Sequence, residues 1–350
     1  MDNQIKTYDI EQLTDVFSKM GQPKFRAKQL YEWLHVHQAC SYDEMTNLPL
    51  SLRQQLSEEY PLTKLAITNK QVSQDGTRKY IFALEDDNEI EAVGIPSKEI
   101  SDEGTTDTST RLTVCFSTQV GCAMECAFCA TGHEGFTRNL TASEMVEQIS
   151  LIQKDFGIRV SNVVAMGQGE PFLNYEQLIT ALHIINSQDG MRIGARHITV
   201  STCGVIKGIE SFSKEPEQFT LAISLHSASQ NIRDFLMPRV SNQPIEKLKE
   251  AIRRYNKKTG RRVTLEYMLI KGVNDGEDDL EALLYFCKEI FVHVNILTMN
   301  EIDDSPFQPS KTKVVKKWID ALERNHIEAT VRNPRGSDIA GACGQLKNSK

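Results

Sequence analysis

No stretch of this 350-residue chain approaches the roughly 18 consecutive apolar residues that a membrane-spanning helix needs. The first twenty residues carry Asp2, Asp9, Glu11 and Asp15 and no apolar core of the kind a secretory leader requires. Secretion and membrane insertion are therefore excluded, and a cytoplasmic protein is expected. An excess of positive charge is missing as well. The net charge is −7, which argues against a generic nucleic-acid coat protein. Internal repeats and low-complexity tracts are absent. With 40% hydrophobic and 25% charged residues the chain is too apolar for disorder. At this length about three quarters of the unfolded surface can be buried, and about two domains are expected.

The charge that is present is unevenly placed. Between Arg239 and Lys271 ten Lys or Arg face only Glu246, Glu250 and Glu266, whereas Asp275 to Asp304 holds nine acids against Lys288. A basic patch on an acidic body would suit RNA phosphates; a solvated helix face explains the same run equally well.

Residues 5–60 read as helices. Leu13, Val16, Phe17 and Met20 fall at helical spacing, followed by Phe25 to Leu34 and Leu50 to Leu56. Lys79 to Leu84 and Glu89 to Ile95, split by Glu85-Asp86-Asp87-Asn88, predict a β-hairpin closed at Pro96. Ser97 to Thr110 is a polar linker. From Arg111 onward short β-branched runs (112–117, 163–166, 197–201, 221–225, 263–270, 293–297 and 329–332) alternate with amphipathic helical stretches. Thr141-Ala-Ser-Glu144 forms a capping box, and Ser310 is positioned to cap the last long helix. The expected fold is α/β: a partial (β/α)6 barrel over 111–350, a helical accessory, RNA-binding domain over 1–75, and a β-hairpin with linker over 76–110. In such barrels the chemistry sits at the carboxyl ends of the strands.

Eight cysteines in a chain of this character suggest metal binding or catalysis rather than disulfides. Cys122, Cys126 and Cys129 fall within eight residues. Four thiolates saturate an iron–sulfur cubane; three leave one iron open to a further ligand. A structural zinc site would want a fourth protein ligand, for which His133 is near in sequence. The Cys-x-x-x-Cys-x-x-Cys spacing resembles the radical S-adenosylmethionine superfamily. The resemblance implies a [4Fe-4S] cluster whose open iron chelates S-adenosylmethionine and whose reduction releases a 5′-deoxyadenosyl radical.

Other strand ends carry groups suited to hold that cofactor. Gly169 and Glu170 lie in a Gly-rich turn where Glu170 can accept from an ammonium group, although a plain tight turn would read the same. Ser201, then Ser224, Leu225 and His226, and finally Asn300 follow later strands. Each alone is more simply a cap or a turn; their recurrence argues for a shared pocket. Gly336, Gly341 and Gly344 surround Cys343 in a segment unsuited to a rigid helix, so the thiol is either carried into the site or buried in a frayed tail.

Taken in order, Phe25-Arg-Ala-Lys-Gln-Leu-Tyr-Glu-Trp-Leu34, Phe116-Ser-Thr-Gln-Val-Gly-Cys122, Arg138-Asn-Leu-Thr-Ala142, Gly169-Glu-Pro171, Ala222-Ile-Ser-Leu-His226 and Ala342-Cys-Gly-Gln-Leu346 resemble the RlmN/Cfr family of radical RNA adenine methyltransferases, over nearly the whole chain. The resemblance implies methylation of an electron-poor adenine carbon by way of an S-methylcysteine, with two S-adenosylmethionine molecules per turnover. Cys343 matches the methylated cysteine. Cys115 matches the one that resolves the RNA–protein crosslink and can pair with Cys343 as a disulfide. Glu91 matches the proton acceptor, and its parity with Val93 and Ile95 on an apolar strand face would raise its pKa. Expected partners are 23S rRNA, tRNA and an electron donor such as flavodoxin or ferredoxin, with the protein a monomer. Departures fall at Gln168, Cys203, Met237-Pro-Arg-Val240 and Arg332 to Gly341, and bear on substrate. Carbon 2 is the expected target; carbon 8, as in the Cfr branch, and a non-catalytic zinc-stabilised RNA-binding module are the alternatives.

Overall fold

A computed structural model of the chain describes residues 4–97, 110–300 and 305–347. The first three helices are α1 (Ile10–Lys19), α2 (Phe25–His35) and α3 (Leu50–Glu59). Asp9 opens α1 with a capping box: its carboxylate accepts from the Gln12 N–H, and the Gln12 side chain accepts from the Asp9 N–H. Leu13, Phe17, Leu30, Leu34, Leu52 and Leu56 close around one another as a core separate from that of the barrel. Buried Lys6 joins the two bodies, its Nζ 2.6 Å from Glu147.

Helix does not continue to residue 75 as expected. Strand β1 (Ala66–Val72) pairs antiparallel with β2 (Arg78–Ala83), which pairs with β3 (Glu89–Pro96). All seven β1 residues are exposed, so no apolar alternation announces an edge strand whose order comes from its neighbour's backbone. The hairpin of β2 and β3 is as expected, and β3 continues antiparallel onto β4 (Leu112–Phe116). Most of the expected linker, 98–109, lies outside the described residues.

All seven expected runs form parallel strands: β4, then β7 (Val160–Ala165), β8 (Ile198–Thr202), β9 (Thr220–Ser224), β10 (Val263–Leu269), β11 (Val292–Thr298) and β12 (Ala329–Arg332). With the hairpin strands they make one ten-stranded sheet, ordered β1-β2-β3-β4-β7-β8-β9-β10-β11-β12. Between β4 and β7 stand a small antiparallel pair, β5 (Gln119–Gly121) and β6 (Phe136–Asn139), the short α4 (Ala130–Glu134) and α5 (Ala142–Phe156). The remaining crossovers carry α6 (Tyr175–Asn186), α7 (Ile206–Phe212), α8 (Gln230–Leu236), α9 (Ile245–Thr259), α10 (Glu277–Cys287) and α11 (Thr312–Arg324).

Thr141 caps α5 as its sequence promised, and the Glu144 of the same box also holds Arg138 at 2.8 Å. Ser310 does not cap α11. Lys311 stands at that position, and the Ser310 hydroxyl donates to Asp275 instead. Parallel topology also divides the basic stretch. Arg239 and Lys271 stand at the carboxyl end of the strands, while α9 descends the outside and leaves Arg261 and Arg262 at the amino end. Arg253, Arg254 and Arg262 are already paired with Glu250, Glu210 and Glu328. The stretch is therefore mostly a solvated helix face rather than one continuous grip.

Candidate active site at the carboxyl end of the barrel

The three clustered cysteines lie on a loop clasped by the β5–β6 pair, not directly after β4. Gly121 (φ +71°) makes this closure: a Cβ there would stand 2.0 Å from the Gly135 carbonyl, which accepts the Cys122 N–H. Inside the loop the Cys129 N–H donates to the Cys126 carbonyl, and the Ala127 N–H reaches across to the carbonyl of Leu236 in α8. Around the sulfurs pack Met124, Phe128, Leu236, Met237, Met268 and Met299, an apolar shell. Burial pushes the Cys122 thiol up to about 12 and Cys129 to about 11. Three thiols in a dry and soft surround suit an iron–sulfur cluster, and burial keeps Cys122 and Cys129 protonated until a cation arrives. His133, the expected fourth ligand of the zinc alternative, is exposed and does not line the cavity of the three cysteines.

One cavity is lined by Cys122, Cys126 and Cys129 together with Gly169, Glu170, Ser201, Ser224 and His226. Most of the expected cofactor residues thus converge. Glu170 accepts from the backbone N–H groups of Phe172 (3.0 Å) and Cys203 (2.6 Å), while burial raises its pKa. Gly169 (φ +104°) leaves no room for a side chain, since a Cβ would meet Gln119 at 2.6 Å. Ser201 and Ser224 hydroxyls are 3.3 Å apart on adjacent strands. Burial, then Arg233, lowers His226 to about 3, so its neutral Nδ1 accepts the Met268 N–H. Two are exceptions: the Leu225 side chain is fully buried in the main core, and Asn300 lines the neighbouring space instead.

Beside this space lies a second, lined by Cys115, Cys129, Met166, Asn300, Arg332 and Cys343. Cys343 is exposed and Cys115 buried; both are free thiols. The tail bearing Cys343 is held, not frayed. Asn300 Nδ2 donates to the Cys343 carbonyl at 3.1 Å, Thr131 Oγ1 to that of Leu346, and the Ala130 N–H to that of Gly344. Burial, then Cys343, pushes the Cys115 thiol up to about 12, and Arg332 partly offsets that.

Glu91 is fully buried, but it lines neither space. Its Oε1 is 3.1 Å from Lys79 Nζ, and its Oε2 accepts the Lys347 N–H at 2.8 Å, four residues past Cys343. Burial raises its pKa and Lys79 partly offsets that. Parity did not distinguish it, because Ile90 to Val93 are buried on both faces of β3.

Sequence reasoning missed Glu266, Arg233 and Lys79. Glu266 lines the cysteine cavity, accepts from Asn295 at 2.8 Å and has its pKa raised by burial. A lone acid inside Val-Thr-Leu-Glu-Tyr-Met-Leu was the available signal. The departure at Gln168 acquires a use: its Oε1 accepts the Glu91 N–H at 3.2 Å, fastening the Gly-rich turn to β3.

Comparison with known proteins supports the same reading. A family profile described as the Radical SAM superfamily matches residues 116–286, and one described as the Ribosomal RNA large subunit methyltransferase N-terminal domain matches 4–61. A crystal structure of a radical SAM methyltransferase from Sphaerobacter thermophilus is 40% identical and superposes with a TM-score of 0.91, covering 98% of this chain and 99% of that one. Proteins named "Probable dual-specificity RNA methyltransferase RlmN" are similar along their whole length. The one from Clostridium novyi is 39% identical over 99% of this chain and 98% of its own, and that from Alkaliphilus metalliredigens 43% over 97% and 93%. The chain belongs to the RlmN family. It is a radical SAM RNA methyltransferase, and its cofactors are a [4Fe-4S] cluster and S-adenosylmethionine. Among the described residues no helix is long and apolar enough to cross a membrane.

Proposed function

We propose that this chain methylates carbon 2 of adenine in 23S rRNA and in tRNA, acting in the cytoplasm as a monomer fed by a flavodoxin- or ferredoxin-type donor. Supporting this most directly is one feature: the Cys343 thiol and its neighbour Cys115 share a space that borders the three clustered cysteines at Cys129. A methyl carrier beside a radical source is the arrangement the reaction needs.

Cys122, Cys126 and Cys129 hold the cluster, and Glu170, Ser201, Ser224 and His226 surround S-adenosylmethionine, Gly169 admitting it closely. When bound, the cluster supplies the electron that cleaves S-adenosylmethionine and so a radical able to take hydrogen from a methyl group. Cys343, a free thiol open to solvent, would first take the methyl group of one S-adenosylmethionine, releasing S-adenosylhomocysteine and its own proton. Hydrogen would then pass from that S–CH3 to the 5′-deoxyadenosyl radical, giving 5′-deoxyadenosine. The methylene carbon would bond to the electron-poor C2, and the adduct would return its unpaired electron to the cluster. Asn300, by holding the Cys343 carbonyl, fixes where that carbon stands. Glu91 would take the C2 proton once the tail releases it, since Lys79 and the Lys347 N–H hold it outside both spaces in this structure. Cys115, deprotonated, would attack the Cys343 sulfur, forming a disulfide as the S–C bond breaks; the electron pair left on the released methylene carbon takes up a proton to complete the methyl group.

The test is a single-turnover reaction with RNA and S-adenosylmethionine under anaerobic reduction, read by nucleoside mass spectrometry. The reading requires 2-methyladenosine; 8-methyladenosine or no methylated adenosine overturns it. Cys343→Ala should keep iron and S-adenosylmethionine cleavage while losing methyl transfer.

A further inference from the structure

Helix α8 brings one cation into the interior with no ion pair to answer it. Arg233 is 1% exposed. Its Nη1 donates to the carbonyls of Ser224 (3.0 Å) and Leu225 (2.5 Å) and lies 3.5 Å from Met237 Sδ. Its Nη2 donates to the Cys203 carbonyl at 2.5 Å, and its Nε has no partner. Every partner is an uncharged dipole, and no ion pair among the described residues includes it. A guanidinium does not shed its proton inside a protein, so the charge is real, and a lone buried charge is strongly unfavourable.

Its position shows which charge would relieve it. The last turn of α8 is bonded to the cysteine loop through Leu236 and Ala127, and Leu236 and Met237 pack in the shell around Cys126. The groups that act on its charge are the sulfur of Cys203, then that of Cys126, then the Asp234 carboxylate. A [4Fe-4S] core held by three thiolates carries one net negative charge, and two after a single-electron reduction. In a low-dielectric surround a fixed cation favours the second state over the first.

We propose that Arg233 is the buried counter-charge of the iron–sulfur cluster, placed to make its one-electron reduction easier. It touches neither iron nor substrate and is a positioning residue. The inference rests on the reading of Cys122, Cys126 and Cys129 as the cluster's ligands. A merely structural Arg233 would clip together the ends of β8 and β9 through its three carbonyl bonds. Lysine keeps the charge but loses the fork; glutamine keeps donors but loses the charge.

The experiment compares full-length wild type, Arg233→Gln and Arg233→Lys after anaerobic reconstitution, measuring iron content and a redox titration followed by electron paramagnetic resonance. Arg233→Gln should lower the equilibrium for reduction at least tenfold, a midpoint about 59 mV more negative for one electron. Arg233→Lys should recover more than half of that shift. An unshifted midpoint in Arg233→Gln overturns the proposal, as does an equal shift in both variants. If Arg233→Gln takes up no iron, Arg233→Lys decides: iron with a midpoint less than tenfold from wild type supports the charge, and any other result overturns it. Wild type without iron overturns the cysteine reading itself, and this inference with it.

Discussion

The two ends of the barrel use arginine alike and solvent oppositely. At the amino end Arg261 Nη1 donates to the carbonyls of Glu217 and Phe219, both at 2.9 Å, and Arg159 Nη2 to those of Met191 and Arg192. Both guanidiniums reach water. At the carboxyl end Arg233 makes the same kind of clasp in the dark. The contrast extends to acids. Glu91, Glu170 and Glu266 are buried near the mouth, whereas Glu215, Glu217 and Glu328 at the other end are partly or fully open. Desolvating charge is unfavourable, so a fold confines it to where a charged ligand or a moving proton will use it. The amino end is built for stability and the carboxyl end against it.

The sharpest way to break this comparison is at the thiols. Cys126→Ala should abolish bound iron and methyl transfer together, while Cys40→Ala, an exposed cysteine at the opposite pole of function, should change neither. Iron analysis of the two variants checks this; cluster retention without Cys126 would remove it from the ligand set. Next in size are the ion pairs. Lys79 and Glu91 are 5% and 0% exposed, so Glu91→Ala strands a buried ammonium and should cost about 3–5 kcal/mol. Replacing both by Met should restore most of it. Arg254 and Glu210 are each about half exposed, and Glu210→Ala should cost at most about 1 kcal/mol. Denaturant titration of all three distinguishes them.

Acid sharpens the contrast between the barrel mouth and the helical accessory region. Burial depresses both His226 and His35 to about 3, with Arg233 and Lys6 respectively adding to it. Below pH 6.5 the unfolded chain takes a proton at each position and the folded chain does not, so stability falls as pH falls, down to about pH 3. At pH 5 the loss relative to pH 8 is about 2 kcal/mol per histidine. His35→Phe should flatten that slope, since both ring nitrogens of His35 lack partners and the ring lies tilted against Tyr31, centroids 4.5 Å apart. Melting temperatures across pH 5–8 provide the measurement; an unchanged slope would mean that the buried ring already carries its proton.

Much of this was legible in the residues. The strand–helix alternation from Leu112 to Arg332 is written in β-branched runs, and each became a parallel strand, the edge strand β12 included although Thr330 and Val331 are exposed. The cysteine spacing and the glycine turn marked the site because close chain approach and thiolate ligation require those residue types. What stayed hidden depends on partners far away in sequence. β1 has no apolar face to declare it. Arg233 reads as an ordinary surface residue of a short helix until Ser224, Leu225 and Cys203 fold over it. Lys79 sits where an alternating strand would be wet, and only Glu91 explains its burial.

The smallest effect is the one that isolates what solvent does. Arg261→Ala removes two hydrogen bonds to carbonyls and a contact 5.4 Å from the Tyr255 ring, yet water can replace the lost donors. The expected cost is about 1 kcal/mol, with no change in iron content, because neither the charge nor the carbonyls it held were cut off from water. Arg233→Gln leaves three buried carbonyl positions to share fewer donors and takes a charge from beside the cysteines, so its stability loss should be at least twice as large. Denaturant midpoints of the two variants without iron test the ratio. Near-equal losses would show that the two ends of the barrel differ in exposure but not in what their arginines do.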